Sequence, residues 1–109
     1  MRWSSHTFYD GRLKAGPGIG TQTLAMLPGV RSSLLITKKQ LLLIDTKGKM
    51  RQNGSYDPLS ASIQNPGEAK TVVKTVKELI QSGVRPEQIG GISFYALQVQ
   101  VIRLVLNIC

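Results

Sequence analysis

The chain has one cysteine, Cys109, and one histidine, His6. That excludes an intrachain disulfide and a zinc site built from Cys and His ligands. A lone His6, far along the chain from Cys109, is neither a metal site nor half of a catalytic pair. Acidic residues are scarce as well. Against 6 Asp/Glu stand 14 Lys/Arg, a net charge of +8 over 109 residues. Such a surplus points to a polyanionic partner, nucleic acid first, with plain solubility as the bland alternative. Long apolar runs are missing: the longest are short and are broken by Lys38 and Lys39, so no membrane span is expected. The opening Met-Arg-Trp-Ser-Ser-His has no apolar signal core. The expectation is an intracellular protein, in the nucleus and/or cytoplasm. What is present is enough apolar material for a core, 41% of residues, in a chain the length of one small domain or part of a larger one.

Local patterns divide the chain. Residues 1–32 read as an irregular or helical lead-in: a short helix or turn ending at Gly11, then a Gly/Pro-rich loop from 15 to 30 with room for one helical turn at Thr21–Leu27. Leu34-Leu35-Ile36 and Leu41-Leu42-Leu43-Ile44 are short apolar runs, and the second suits a strand buried on both faces. Residues 47–64 form a basic, polar loop of a length that is unusual in a compact domain. The helix from Pro66 to about Ser82 is the best-specified element. Asn65 is its N-cap, Pro66 its first residue and Glu68 the third residue after the cap, as in a capping box. Ala69, Val72, Val73, Val76, Leu79 and Ile80 fall on one face, and Gly83 stops the helix. Pro86 opens a turn, Ile89–Ser93 reads as a second buried strand, and Leu97–Asn107 as a helix. Helix, short turn, buried strand and polar strand end make up the order of a parallel α/β sheet with a ligand-facing edge.

Four stretches invite a chemical reading. Gly16-Pro-Gly-Ile-Gly-Thr-Gln-Thr23 has the look of a phosphate loop, but Gln22 stands where the lysine is needed and no strand precedes it, so nucleotide binding is rejected. Asp45, after the Leu41–Ile44 run, either belongs to a Mg²⁺ shell or caps its own loop. Lys38, Lys39, Lys47, Lys49 and Arg51 are either a solvated loop or a rim that meets phosphates. Ser93-Phe-Tyr-Ala-Leu-Gln98 is either an ordinary strand–helix corner with Tyr95 in the core, or a place where a hydroxyl, an aromatic ring and the amides of a helix start hold a nucleic-acid backbone or stack a base. Chemistry alone favours the corner.

These segments together resemble superfamily 1 helicases of the up-frameshift and immunoglobulin mu-binding protein 2 branch, in the first part of their second RecA-like lobe. Phe8-Tyr-Asp-Gly-Arg-Leu13 is similar to that branch's Phe-Tyr-x-Gly-x-Leu, and Leu41-Leu-Leu-Ile-Asp-Thr46 to its strand ending in Asp-Thr. Ser62-x-x-Asn65-x-x-Glu68-Ala69 matches its helix start, and Ile89-Gly-Gly-Ile-Ser-Phe-Tyr-x-x-Gln98 is similar to its motif IV. Trp3, Leu27-Pro28-Gly29-Val30 and Asn65-Pro66-Gly67-Glu68 lean to the mu-binding side. The chain departs from the branch at Phe94, where relatives carry proline, at Ala96, and at Lys47, which replaces a small residue.

The resemblance implies an α/β fold: an incomplete RecA-like lobe spanning 1–109, with a short, mainly parallel sheet flanked by helices. It implies a segment of an ATP-dependent nucleic-acid helicase, an ATP hydrolase when intact, with ATP and Mg²⁺ as the intact relative's cofactors and none held by this chain. The phosphate loop, metal motif and arginine finger would lie before Met1 or after Cys109, so the segment would not be catalytic alone. Ser93, Tyr95 and Gln98 would contact single-stranded nucleic acid, DNA or RNA. Lys47, Lys49 and Arg51 are candidate phosphate contacts, and the missing lobe of the helicase is a further partner. The alternative is a small basic nucleic-acid-binding or adaptor module without motor activity.

Overall fold

The computed structural model of the chain describes residues 2–48 and 62–108. Their regular structure is helical: α1 at Arg2–Tyr9, a single turn α2 at Leu35–Lys38, α3 at Pro66–Gln81 and α4 at Ala96–Ile108. Short 3-10 turns at Ile19–Thr21, Leu24–Met26 and Pro86–Gln88 punctuate the connections.

The expected α/β fold with a short, mainly parallel sheet is therefore overturned. No strand occurs among the described residues, and Gln64 alone among them sits in an isolated bridge. Both apolar runs expected as strands lie open. Leu41 is 89% exposed, Leu43 88% and Ile92 100%. The chain does enter both runs in an extended conformation, at Lys39 (φ −101°, ψ 136°) and Ile89 (φ −109°, ψ 120°). What is missing is a ladder. An apolar run records a preference for burial, whereas a strand exists only when a neighbouring segment supplies N–H and C=O partners. Leu35 and Ile36, in the earlier apolar run, instead join α2, where the Thr37 side chain is fully buried and its hydroxyl lies 2.9 Å from the Leu34 carbonyl and 3.0 Å from that of Arg31. Most of the expected basic loop at 47–64 lies outside the described residues.

Helix α3 forms where the residues call for it. The Asn65 side chain accepts the Glu68 amide proton at 3.1 Å, and Pro66 occupies the first helical position, where a missing N–H costs nothing. Ala69 and Val73 are buried on its inner face, and Lys74 reaches Glu78 at 4.0 Å on its outer one. Two hydrogen bonds close its C-terminus: Gly83 N–H to the Ile80 carbonyl at 3.0 Å, and Val84 N–H to that of Leu79 at 3.1 Å, a Schellman pair that buries Val84. Gly83 has φ +103°, and a Cβ there would collide with the Gly29 carbonyl oxygen. The chain at Gly29–Arg31 thus presses against the end of α3, and the Arg31 N–H donates to the Ser82 carbonyl at 2.7 Å.

α4 packs on α3. Among the described residues only Ala69, Val73 and Val84 are fully buried apolar side chains, all on α3 or just after it. The radius of gyration, 17.0 Å, exceeds the roughly 13 Å of a compact chain this long, in line with so small a core.

Candidate functional site

The start of α4 is where the sequence places its candidate contacts, and hydrogen bonds from α3 determine its geometry. The Gln98 side chain, 9% exposed, is bonded at both ends to the backbone of one residue. Its Oε1 accepts the Asn65 N–H at 2.7 Å, and its Nε2 donates to the Asn65 carbonyl at 3.1 Å. One residue earlier, the Leu97 N–H donates to Ser62 Oγ at 3.0 Å. A capping box would give the Asn65 N–H to the Glu68 carboxylate; here Gln98, 33 residues away in sequence, takes it. Ser62, Asn65, Leu97 and Gln98 thereby join the first turns of α3 and α4.

Ahead of this joint the chain is open. Ser93 is half-buried, and its hydroxyl accepts the Tyr95 N–H at 3.3 Å. Tyr95 is 42% exposed and Phe94 fully exposed. Tyr95 therefore does not sit in a core. The structure brings Ser93 and Tyr95 together at one accessible edge and commits the Gln98 amide to the interior. Two amides near this helix start, those of Tyr95 and Leu97, already have hydroxyl acceptors.

The second candidate group is described in part. Lys47 is exposed, in a left-handed conformation with φ 51°, and its N–H donates to Asp45 Oδ1 at 2.7 Å. Asp45 thus caps its own loop. Lys49 and Arg51 lie outside the described residues. The Gly16–Thr23 stretch folds into a 3-10 turn at Ile19–Thr21, and the Gln40 side-chain amide donates to the carbonyls of Gly20 and Gln22. Carbonyls rather than a cradle of amides and a lysine face inward there. With Asp45 engaged by its own loop and no trio of His, Cys, Asp or Glu among the described residues able to hold a metal ion, these residues do not fit ATP or Mg²⁺. No helix among them is long and apolar enough to cross a membrane.

Sequence reasoning missed the partnership of Ser62 with Leu97 and of Gln98 with Asn65. The signal was there in the spacing of two motifs, but nothing in a linear pattern says that they meet.

A family model described as an AAA domain matches residues 1–108. The DNA-binding protein SMUBP-2 of Rattus norvegicus is 37% identical over 107 residues, which is 97% of this chain and 10% of that protein. The protein of the same name from Mesocricetus auratus gives the same figures, and that from Mus musculus is 35% identical over 108 residues, 98% of this chain and 11% of its own length. The chain thus spans about a tenth of the length of the curated relatives it matches.

Proposed function

The chain belongs to the AAA domain family, in the superfamily 1 helicase branch that its motifs resemble, and on that premise we propose that it works as part of an ATP-dependent nucleic-acid helicase, contributing contacts to the backbone of a single strand. One observation carries the reading: the family match runs from residue 1 to 108, through the edge at Ser93 and Tyr95. In this proposal the chain is the first part of a second RecA-like lobe, Ser93 offers a hydroxyl to a phosphate, and Tyr95 offers a ring face to a base. Gln98 acts at one remove, by fixing the start of α4 against α3. Lys47, Lys49 and Arg51 add positive charge along the strand's path. ATP and Mg²⁺ belong to the assembled enzyme, and this segment does not turn over ATP by itself.

Binding is tested by fluorescence anisotropy of labelled single-stranded DNA and RNA at several salt concentrations. If about three phosphates are met, the log–log salt slope is near −2. Tyr95→Ala weakens binding by about 1 kcal/mol or more if a base stacks there. The absence of binding at low salt overturns the reading, and equal affinity for Tyr95→Ala removes that residue from it. ATP turnover by the purified chain above a heat-killed control overturns its catalytic dependence on the rest of the enzyme. The net charge of +8 equally suits a small basic adaptor. The adaptor reading requires that the full gene product carry no Gly-x-x-x-x-Gly-Lys-Thr segment, which sequencing the transcript decides.

A further inference from the structure

We propose that the depression between α1 and the segment folded back on it is a binding site for a phosphate carried on an organic group, gripped by Arg2, His6 and Lys14. Neither Ser93 nor Tyr95 lines this depression, and it stands or falls independently of the edge that they form.

Local geometry builds the site. Arg2, Ser5 and His6 stand at spacings of three and four and so share one face of α1. After Tyr9 the chain reverses through two left-handed residues, Asp10 (φ 49°) and Gly11 (φ 74°), and the Gly11 N–H donates to the Ser5 carbonyl at 2.8 Å. The buried Ser5 side chain then clasps the returning segment. Its hydroxyl accepts the Leu13 N–H at 3.0 Å and donates to the Leu13 carbonyl at 3.2 Å. Leu13, Lys14 and Ala15 are thereby held beside Arg2, Ser5 and His6, and the two rows line a shallow, open depression of about 430 Å³.

Its chemistry is one-sided. Two cationic side chains and an imidazole line it, and among the described residues no acid does. Asp10, the only acid among residues 1–44, lies 3.6 Å from Arg12 instead. The Arg2 guanidinium offers a planar fork, the Lys14 ammonium a point charge and the His6 ring an N–H. Donors from two sides match the three terminal oxygens of a phosphate better than the two of a carboxylate. The volume and the wall favour an organic carrier. Ligand sites run from about 300 to 1,000 Å³, far more than a bare phosphate fills. Leu13 and Ala15 add apolar surface against which a sugar or other carbon skeleton packs.

The full, isotope-labelled chain is titrated with thymidine 5′-monophosphate, thymidine, inorganic phosphate and oligothymidylate while its amide NMR shifts are followed. The expected result is saturable shifts at Ser5, His6, Gly11, Leu13 and Lys14 with the monophosphate, none with thymidine and weaker binding of inorganic phosphate. Arg2→Ala and Lys14→Ala each weaken the monophosphate about fivefold. Lys77→Ala, which removes an exposed cation of α3 outside the depression, leaves its affinity unchanged. Shifts at lower concentration with oligothymidylate than with the monophosphate assign the phosphate to a strand, and the opposite order assigns it to a free phosphate ester. Equal shifts with thymidine, or equal affinity for inorganic phosphate, overturn the site. Equal losses in all three variants also overturn it, reducing it to attraction by the net charge. Anisotropy that shows binding of a labelled strand while these amides stay still overturns this site and leaves the Ser93/Tyr95 reading standing. Saturable shifts with the monophosphate in a chain that binds no strand do the reverse.

Discussion

The α3–α4 pair and the apolar segments Leu41–Ile44 and Ile89–Ser93 are similar in composition and opposite in outcome. Both are rich in Leu, Ile and Val. In α3 every interior backbone group finds a partner four residues away, a cap closes one end and a Schellman pair the other. In the other two segments the side chains are no less apolar, yet Leu41, Leu43 and Ile92 stand in the open, and among the described residues no strand takes their backbone groups. A helix is solvent-proofed by its own sequence. A strand depends on another piece of chain, and apolarity cannot summon one.

That contrast can be broken at its strongest point first. Gly83→Ala must hold a side chain at φ +103° and push its Cβ onto the Gly29 carbonyl. The left-handed conformation and the clash together cost about 3 kcal/mol, read as a lower urea midpoint. An unchanged midpoint would mean that the Gly29–Arg31 segment does not lie against the end of α3.

Gln98→Met keeps the side-chain length and removes both bonds to Asn65. The Asn65 carbonyl keeps the Ala69 N–H at 3.0 Å, and the loss of the Gln98 acceptor for the buried Asn65 N–H costs about 1–2 kcal/mol in the same denaturation experiment. A larger effect of Glu68→Ala than of Gln98→Met would return the Asn65 amide to the ordinary capping box.

Asn65→Ala removes the acceptor for the Glu68 amide and costs about 1 kcal/mol. Glu68→Ala costs less, since its exposed carboxylate does not hold the Asn65 N–H. Equal losses for the two variants would contradict that division.

The smallest effect is the most discriminating. Ile92→Ala changes stability by no more than about 0.5 kcal/mol, because Ile92 is fully exposed. Amide hydrogen exchange gives the matching picture, with protection through α3 and fast exchange at 41–44 and 89–92. Protection of both segments in a monodisperse monomer, or a loss of about 2 kcal/mol for Ile92→Ala, would show a paired sheet after all.

Much of this was legible in the residues, and the boundary is physical. The start and end of α3 could be read because a cap, a proline at the first turn and a terminal glycine act within four residues of one another. The reversal after α1 was marked by Gly11, and Leu97–Asn107 read as helical although Val99 and Val101 alternate; the structure forms α4 there. The candidate edge was legible in part. Ser93 and Tyr95 lie at one accessible place, while Gln98, read in line with them as a nucleic-acid contact, is turned inward. Its glutamine amide is equally suited to a base, a phosphate or a peptide group, so its chemistry could not choose between solvent and Asn65.

The sequence by itself determined the family, the basic charge, the boundaries of α3 and the turn at Gly83, since each depends on residue identity or on contacts a few positions apart. The tertiary structure decided three things that depend on segments distant in sequence. It left the apolar runs without a strand partner among the described residues, because a ladder needs a second strand. It gave the Asn65 amide to Gln98 rather than Glu68, because α4 packs across the start of α3. It kept Trp3 and Phe8 on the surface, because among the described residues no apolar element covers the rings.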